Sequence, residues 1–454
     1  MEFDLLIIGG GPAGYFAAER AAEKNFNVAI VEKNGSFGGV CLNEGCIPSK
    51  NLLHSAKLYS LSKELGNDEV SIDVDLEKIV KQKNKVVTAL TKGVAVTLNQ
   101  KSVKTFIGEA TILERNSLAL NFRVKIDDQI LETKNLLICA GSSASIPPID
   151  GLKDSFDSGI AMTNKEILDL VEVPKKLAII GGGVIGLEMA VAFSAFGSQV
   201  TIIEILDKIA GPLDRDITEQ LQKNCIDLGI NIQTNAIINA VEKNTIYWRK
   251  AEEEYSDSFD KIMVSAGRYP NSENLGLENI GVYTDQKGRI ITDEQMRTNI
   301  PNVYAAGDIN GRSMLAHTAY REAEVAINTM LNIYDEIDYD LIPNVIYTFP
   351  EEVASIGLSE EEAKKMDSQV RIIKKPMVYS GRYMVENYGG KGFAKLILDR
   401  DGEHILGFSM IGNPASEIIS SLSVALSQDV SVSNLRRAVF PHPSVGEIIK
   451  ELLY

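Results

Sequence analysis

The sequence predicts an α/β fold with two parallel-sheet modules followed by a C-terminal α+β domain. Three observations predict it. First, a run of apolar strand, glycine turn, alanine-rich helix and second strand occurs twice. It is seen at 5–32 ("LLIIGGGPAGYFAAERAAEKNFNVAIVE") and again at 177–204 ("LAIIGGGVIGLEMAVAFSAFGSQVTIIE"). Second, from Ile342 the texture changes to period-2 strands and hairpins. Third, 454 residues with 44 % hydrophobic and 24 % charged side chains are enough for several buried cores.

The first module carries Gly9, Gly11 and Gly14 in a G-x-G-x-x-G turn, and the second carries Gly181, Gly183 and Gly186. In this pattern the first glycine permits the tight turn out of the strand. The second lets a pyrophosphate approach the backbone, and the third lets helix and strand pack closely. The helix N-terminus then faces the phosphate charge. Each second strand ends in an acid, Glu32 and Glu204, both 23 residues after the first glycine. A carboxylate there accepts hydrogen bonds from a ribose diol. The chain is therefore expected to bind two dinucleotides. Glu204 is followed by "ILDK", without an arginine for a ribose phosphate, which favours NAD over NADP at the second module.

Between the modules lies a helix-rich stretch (about 48–100), then strands in "NSLALNFRVKI" and "NLLICAG". Pro147-Pro148 and Gly151 mark a boundary before the second module. "NVYAAGDING" is a further strand ending at Gly307-Asp308. "GFAKLILDRDGEHILGFSMIG" reads as strand, Asp-Gly turn and strand. "NPASEIISSLSVALSQ" and "SVGEIIKELLY" read as helices.

Composition narrows the function classes. The formal net charge is −16 (46 Lys+Arg against 62 Asp+Glu), so neither nucleic acid nor an anionic membrane is an expected partner. The start, "MEFDLLIIGG", lacks the basic residues and long apolar run of a signal peptide, and no stretch is long enough to span a membrane. Four cysteines in a chain of this size do not make a disulfide scaffold, and a cytoplasmic location is expected.

Two of those cysteines, Cys41 and Cys46, stand in "GGVCLNEGCIPSK". A metal site needs about four ligands. The only added candidate nearby is His54, so no metal is expected. Cys139 and Cys225 read as buried small apolar residues. A redox pair fits better. Ile47-Pro48-Ser49-Lys50 reads as a first helical turn, with proline tolerated where its missing N–H is an orphan donor anyway. Cys46 then sits at a helix N-terminus that favours a thiolate. Lys50 adds positive charge one turn on, while Glu44 opposes a second negative charge.

With these motifs assembled, the chain resembles the flavin-dependent pyridine-nucleotide disulfide oxidoreductases, nearly end to end. The matching runs include "SAGRYPNSENLGLENIGV", "RTNIPNVYAAGD", "MLAHTA", "IPNVIYTFPEE", "GLSEEEAK" and "PHPSVGE". The resemblance implies two Rossmann-like dinucleotide-binding domains, for FAD and NAD, plus a C-terminal α+β dimerisation domain. The implied divisions are 1–148 (FAD), 149–272 (NAD), 273–340 (a central part completing the FAD site) and 341–454 (interface). It implies that Glu32 binds the FAD ribose and Asp308 its ribityl region. Gly141, Gly267 and Ala316, the last two in the matching runs, join the cofactor-binding set. It places Lys50, paired with Glu188, against the isoalloxazine. Cys41 becomes the thiol that exchanges with substrate and Cys46 the thiolate that touches the flavin. His442, held by Glu447, is lent to the active site of a second copy as the base for a thiol substrate.

Within the family the likeness is greatest to the enzymes that oxidise dihydrolipoamide with NAD⁺. The lipoyl group is expected to arrive on another protein, of a 2-oxoacid dehydrogenase, acetoin dehydrogenase or glycine cleavage system. The alternatives are a related disulfide reductase or NADH diaphorase with another substrate, and a redox-silent FAD docking subunit. No cysteine follows Cys225 in this sequence, so the C-terminal thiol relay of mercuric and large thioredoxin reductases is not expected. Phe349 and Phe440 stand where the lipoamide enzymes usually have histidine, and Tyr269 where arginine is common.

Overall fold

The computed structural model describes residues 2–65, 74–115 and 121–454. The middle of the helix-rich stretch, 66–73, and the first part of the "NSLALNFRVKI" strand, 116–120, lie outside the described residues. The chain forms two compact units. One comprises 1–49, 80–145 and 267–339, and the other 50–79, 146–266 and 340–454.

The first unit is built on a parallel sheet. Strand β1 (Glu2–Ile8) lies between β2 (Val28–Glu32) and Gln129–Ile138, and helix α1 (Pro12–Glu23) makes the crossover from β1 to β2. Lys104–Ile107 extends the sheet beyond β2, and Val303–Ala305 adds to its other side against Leu136–Ile138. The segment Leu5–Ile8 is buried throughout, as a strand covered on both faces must be. The start of Gln129–Ile138 also pairs antiparallel with Phe122–Ile126, which in turn pairs with Ala110–Arg115. One long strand thus joins a parallel sheet to an antiparallel meander. Cys139 lies just past its end and is buried.

The second unit repeats the parallel plan. Its strand order is Asn231–Gln233, Gln199–Ile203, Lys176–Ile180, Lys261–Val264, Ala161–Met162. Helix Val184–Ala195 makes the crossover, and all but one of the residues from Gly186 to Phe193 being apolar or glycine suits its burial on every side. An antiparallel three-stranded sheet follows (Ala236–Glu242, Thr245–Lys250, Glu253–Ser258).

The C-terminal part is a five-stranded antiparallel sheet, in which Phe393–Leu398 and Ile405–Ile411 form the hairpin expected around Asp401-Gly402. Helices Ala415–Ser427 and Glu447–Leu452 cover it through Ile419, Leu422, Ile448 and Leu452. Lys395 is 1 % exposed in that sheet. Its Nζ lies 2.9 Å from Asp214, 2.7 Å from Asp216 and 3.0 Å from Glu360. Such a buried ammonium is tolerable only because carboxylates surround it, and here they tie the helix Arg215–Asp227 to the C-terminal sheet.

Candidate active site

The two glycine turns share one geometry. Gly9 and Gly181 have φ of +106°, a conformation that glycine adopts without strain. A Cβ on Gly14 would lie 1.8 Å from the Gly9 carbonyl oxygen, and one on Gly186 2.2 Å from that of Gly181. The first and third glycines are therefore demanded by the fold itself. The second is not: a Cβ on Gly11 would meet only the Gly39 Cα at 3.7 Å, and one on Gly183 would meet nothing within 4 Å. Gly11 and Gly183 are also the N-caps of their helices, and neither has a side-chain cap. Open space above unclaimed helix amides is what a pyrophosphate requires, so both loops fit a dinucleotide.

Glu32 and Glu204 each accept two backbone N–H groups. Glu32 Oε2 accepts the Gly10 N–H at 2.8 Å, and Oε1 accepts the Asn34 N–H at 2.8 Å. Glu204 does the same with Gly182 (2.6 Å) and Leu206 (2.8 Å). Each acid thus braces its own glycine turn.

Cys41 and Cys46 belong to consecutive helices. α2 (Gly39–Glu44) carries Cys41 and ends at Glu44; after Gly45, α3 (Cys46–Leu65) begins with Cys46 itself. The start of α2 rests on the first glycine turn. Gly38 (φ +110°) donates its N–H to the Gly10 carbonyl at 2.7 Å, and Gly39 packs directly on Gly11. Cys41 and Cys46 are both half-buried.

Around them the first unit gathers residues distant in sequence. Arg268 donates from Nε to Ser142 Oγ and from Nη2 to the Ser142 carbonyl, each at 2.7 Å, and Ser142 Oγ donates to Asp308. Burial pushes the Arg268 guanidinium below its usual range, and the negative charges of Asp308, Glu44 and Cys46 draw it back up. Gly307 (φ +81°) precedes Asp308 and donates its N–H to the fully buried Glu322, which also accepts the Tyr339 hydroxyl at 2.6 Å. Gly141 (φ +71°) and Gly267 (φ +104°) have open space at the Cβ position, and Ala316 opens the helix Ala316–Met330.

In the second unit Lys50 Nζ donates to both Glu188 oxygens, at 2.9 and 2.8 Å, and lies 4.4 Å from the Tyr347 ring centroid. The Tyr347 N–H also donates to Glu188, at 3.2 Å. Burial pushes the Glu188 carboxyl up, and the Lys50 ammonium opposes that shift. Near the C-terminus His442 Nδ1 and Glu447 Oε1 are 2.9 Å apart, and Glu447 Oε2 accepts the Ser444 N–H at 2.9 Å. Those two bonds hold the Glu447 carboxyl below its usual range. The His442 side chain is 81 % exposed. With Nδ1 donating to the carboxylate, Nε2 is left as the proton acceptor.

The structure thus brings Lys50 to Glu188 and His442 to Glu447. Sequence reasoning missed Arg268, Tyr347 and Glu322, although each lies in or beside a run that carried the resemblance. Phe349 is buried, Phe440 packs on the C-terminal core, and Tyr269 is exposed on a two-stranded ladder with Ser143. Among the described residues, no His, Cys, Asp or Glu cluster could hold a metal ion, and no helix is long and apolar enough to cross a membrane.

Comparison with known proteins gives the same outline. A family model described as pyridine nucleotide-disulphide oxidoreductase matches residues 3–323, and the model of its dimerisation domain matches 342–453. A dihydrolipoyl dehydrogenase of Staphylococcus aureus is 37 % identical over 463 residues, covering 99 % of this chain and 96 % of that one. The mitochondrial dihydrolipoyl dehydrogenase of Schizosaccharomyces pombe is 34 % identical over 462 residues, covering 100 % and 89 %. Among solved structures, the HOCl-induced flavoprotein disulfide reductase RclA from Escherichia coli superposes with a TM-score of 0.86 at 26 % identity, over 99 % of each chain.

Proposed function

This chain belongs to the pyridine nucleotide-disulphide oxidoreductase family, and from that premise we propose that it oxidises protein-bound dihydrolipoamide to lipoamide and reduces NAD⁺. The full-length likeness to dihydrolipoyl dehydrogenases carries the reading. The first glycine turn, with Glu32 and Asp308, holds FAD; the second, with Glu204, holds NAD. Bound there, FAD would supply a two-electron acceptor between the reduced cysteines and NAD⁺.

The chain's own residues do the thiol chemistry. A dihydrolipoyl thiol must lose its proton to become a nucleophile, and His442 Nε2 takes it. Glu447 fixes the imidazole and stabilises its cation. The thiolate attacks Cys41 Sγ, the Cys41–Cys46 bond breaks, and Cys46 leaves as a thiolate. The second dihydrolipoyl sulfur then displaces Cys41, which releases cyclic lipoyl disulfide and leaves the dithiol. Lys50, fixed by Glu188, would supply positive charge toward a bound flavin.

His442 is exposed in its own chain, and the dimerisation-domain match covers it. Both observations support a homodimer in which each copy lends this base to the other. The lipoyl carrier is a subunit of a 2-oxoacid dehydrogenase, acetoin dehydrogenase or glycine cleavage system, in a reducing cytoplasm. NADH formation from dihydrolipoamide tests the reading, with NADP⁺, glutathione disulfide and oxygen as comparisons. Full activity in Cys41→Ser would sink it.

A further inference from the structure

A pair of tyrosines that the proposed chemistry does not use stands in the same unit as the cysteines. Tyr15, one turn into α1, and Tyr320, in the helix Ala316–Met330, share a hydrogen bond of 2.5 Å between their hydroxyl oxygens. Their rings meet edge to face at 6.0 Å. Phe16 packs on Tyr320 at 5.3 Å and is itself capped by Arg20 at 4.8 Å, so the Tyr320 ring is fixed.

The arithmetic of hydrogens is informative. Two phenols joined by one hydrogen bond use one hydrogen, whichever donates, and the other is left to point outward. The placement of Cys41 suggests where. α2 is pinned to the start of α1 by the Gly38 N–H to the Gly10 carbonyl and by Gly39 against Gly11, so Cys41 lies by the first turn of α1, where Tyr15 is. Three negative groups face the pair: Cys41 from α2, Cys46 from α3 and Glu19 from α1 itself. Burial is the main cause that pushes both phenols up, the hydrogen bond to Tyr320 adds to it at Tyr15, and Cys41 pushes both phenols the same way. Glu19 also acts on both, but its own carboxyl is pushed up by burial and so is the weaker anion.

We propose that the Tyr15–Tyr320 pair is a hydrogen-bond donor to the Cys41 sulfur, stabilising its thiolate once the Cys41–Cys46 bond has been opened. The inference rests on the redox role proposed for Cys41. No proton changes owner: the two electrons that open the disulfide come from the dihydrolipoyl thiol, and the phenolic hydrogen stays on its oxygen. A disulfide sulfur accepts hydrogen bonds weakly and a thiolate strongly, so the pair favours the reduced, substrate-exchanging state.

The test measures the acidity of Cys41 without using lipoamide. FAD-loaded protein is reduced with a phosphine, freed of reductant and alkylated with iodoacetamide from pH 5 to 9, and modification is quantified on the Cys41 peptide. Tyr320→Phe is expected to raise the Cys41 midpoint by about one pH unit, a roughly tenfold loss of thiolate well below the midpoint. Tyr15→Phe is expected to raise it as well, because either phenol can be the one whose hydrogen points outward. Tyr339→Phe, which removes a phenol elsewhere in the same unit, leaves the midpoint in place. Retained FAD content and melting temperature in both pair variants separate this effect from loss of fold. An unmoved midpoint in Tyr320→Phe, or an equal shift in Tyr339→Phe, overturns the inference. Failure to form NADH from dihydrolipoamide would instead count against the proposed function.

Discussion

Replacing Lys50 by methionine should turn Glu188 from a paired charge into a liability whose cost depends on pH. Glu188 is 4 % exposed, and Lys50 supplies two of its hydrogen bonds, with the Tyr347 N–H giving another. Removing one member of a fully buried pair costs about 3–5 kcal/mol; with Lys50 a third exposed, about 2–3 kcal/mol is the appropriate scale here. A loss of that size lowers the melting temperature by roughly 5–10 °C in a unit of a few hundred residues.

The sign of the pH dependence follows from the raised carboxyl. Burial already pushes Glu188 up from its ordinary value of 4.5, and without Lys50 it rises further. The folded variant then holds a proton that the unfolded chain has released. Its stability therefore falls as pH climbs from the ordinary carboxyl range through the raised value. Thermal unfolding of Lys50→Met at pH 5 and pH 8 should show the larger deficit at pH 8. The Lys50→Met/Glu188→Gln double variant should recover at least half of the loss, because it no longer buries an unpaired charge. A deficit that does not change with pH, or a double variant no more stable than Lys50→Met, refutes the reasoning.

The glycine turns allow a sharper contrast. Gly14→Ala puts a Cβ 1.8 Å from the Gly9 carbonyl and should yield little folded, FAD-containing protein on purification. Gly183→Ala meets nothing within 4 Å, so its melting temperature should match wild type while the KM for NAD⁺ rises about tenfold or more. Glu447→Ala leaves His442 without its carboxylate. It should lower kcat/KM by roughly tenfold, since the imidazole proposed to take the substrate proton loses the carboxylate that orients it. Glu44→Gln should let the long-wavelength thiolate–flavin band persist to a lower pH, by about half a unit, and Arg268→Met should move it the other way. Coincident titrations in all three proteins would show that neither charge reaches Cys46.

What could be read from the sequence was local. Strand, glycine turn, helix and acid fall within a 28-residue window, and each residue answers to a neighbour in that window: Gly14 to Gly9, Glu32 to Gly10. The His442–Glu447 pair is only five residues apart, but it was anticipated through the family resemblance and not from its spacing. The rest was not local. Arg268 reaches Ser142 across 126 positions, Lys50 reaches Glu188 across 138, and Tyr15 reaches Tyr320 across 305. Lys50–Glu188 was anticipated only through the family resemblance. Arg268 and Tyr320 carry no periodic or spacing signal of their own, because their partners are set by how the sheet and helices pack.

The acids at the two strand ends show why one residue type can serve fold and ligand together. Each carboxylate oxygen of Glu204 takes one backbone N–H, from Gly182 and from Leu206, and each keeps a second lone pair. Those remaining lone pairs suit a donor such as a ribose hydroxyl. They repel a phosphate, and the two backbone N–H groups are already claimed and unavailable to offset its charge. If Glu204 takes the ribose as proposed, preference for an unphosphorylated ribose would follow from the brace that keeps the glycine turn closed. Neutralising Glu204 to admit NADP would loosen the turn as well, so the coenzyme choice at this module is coupled to its folding.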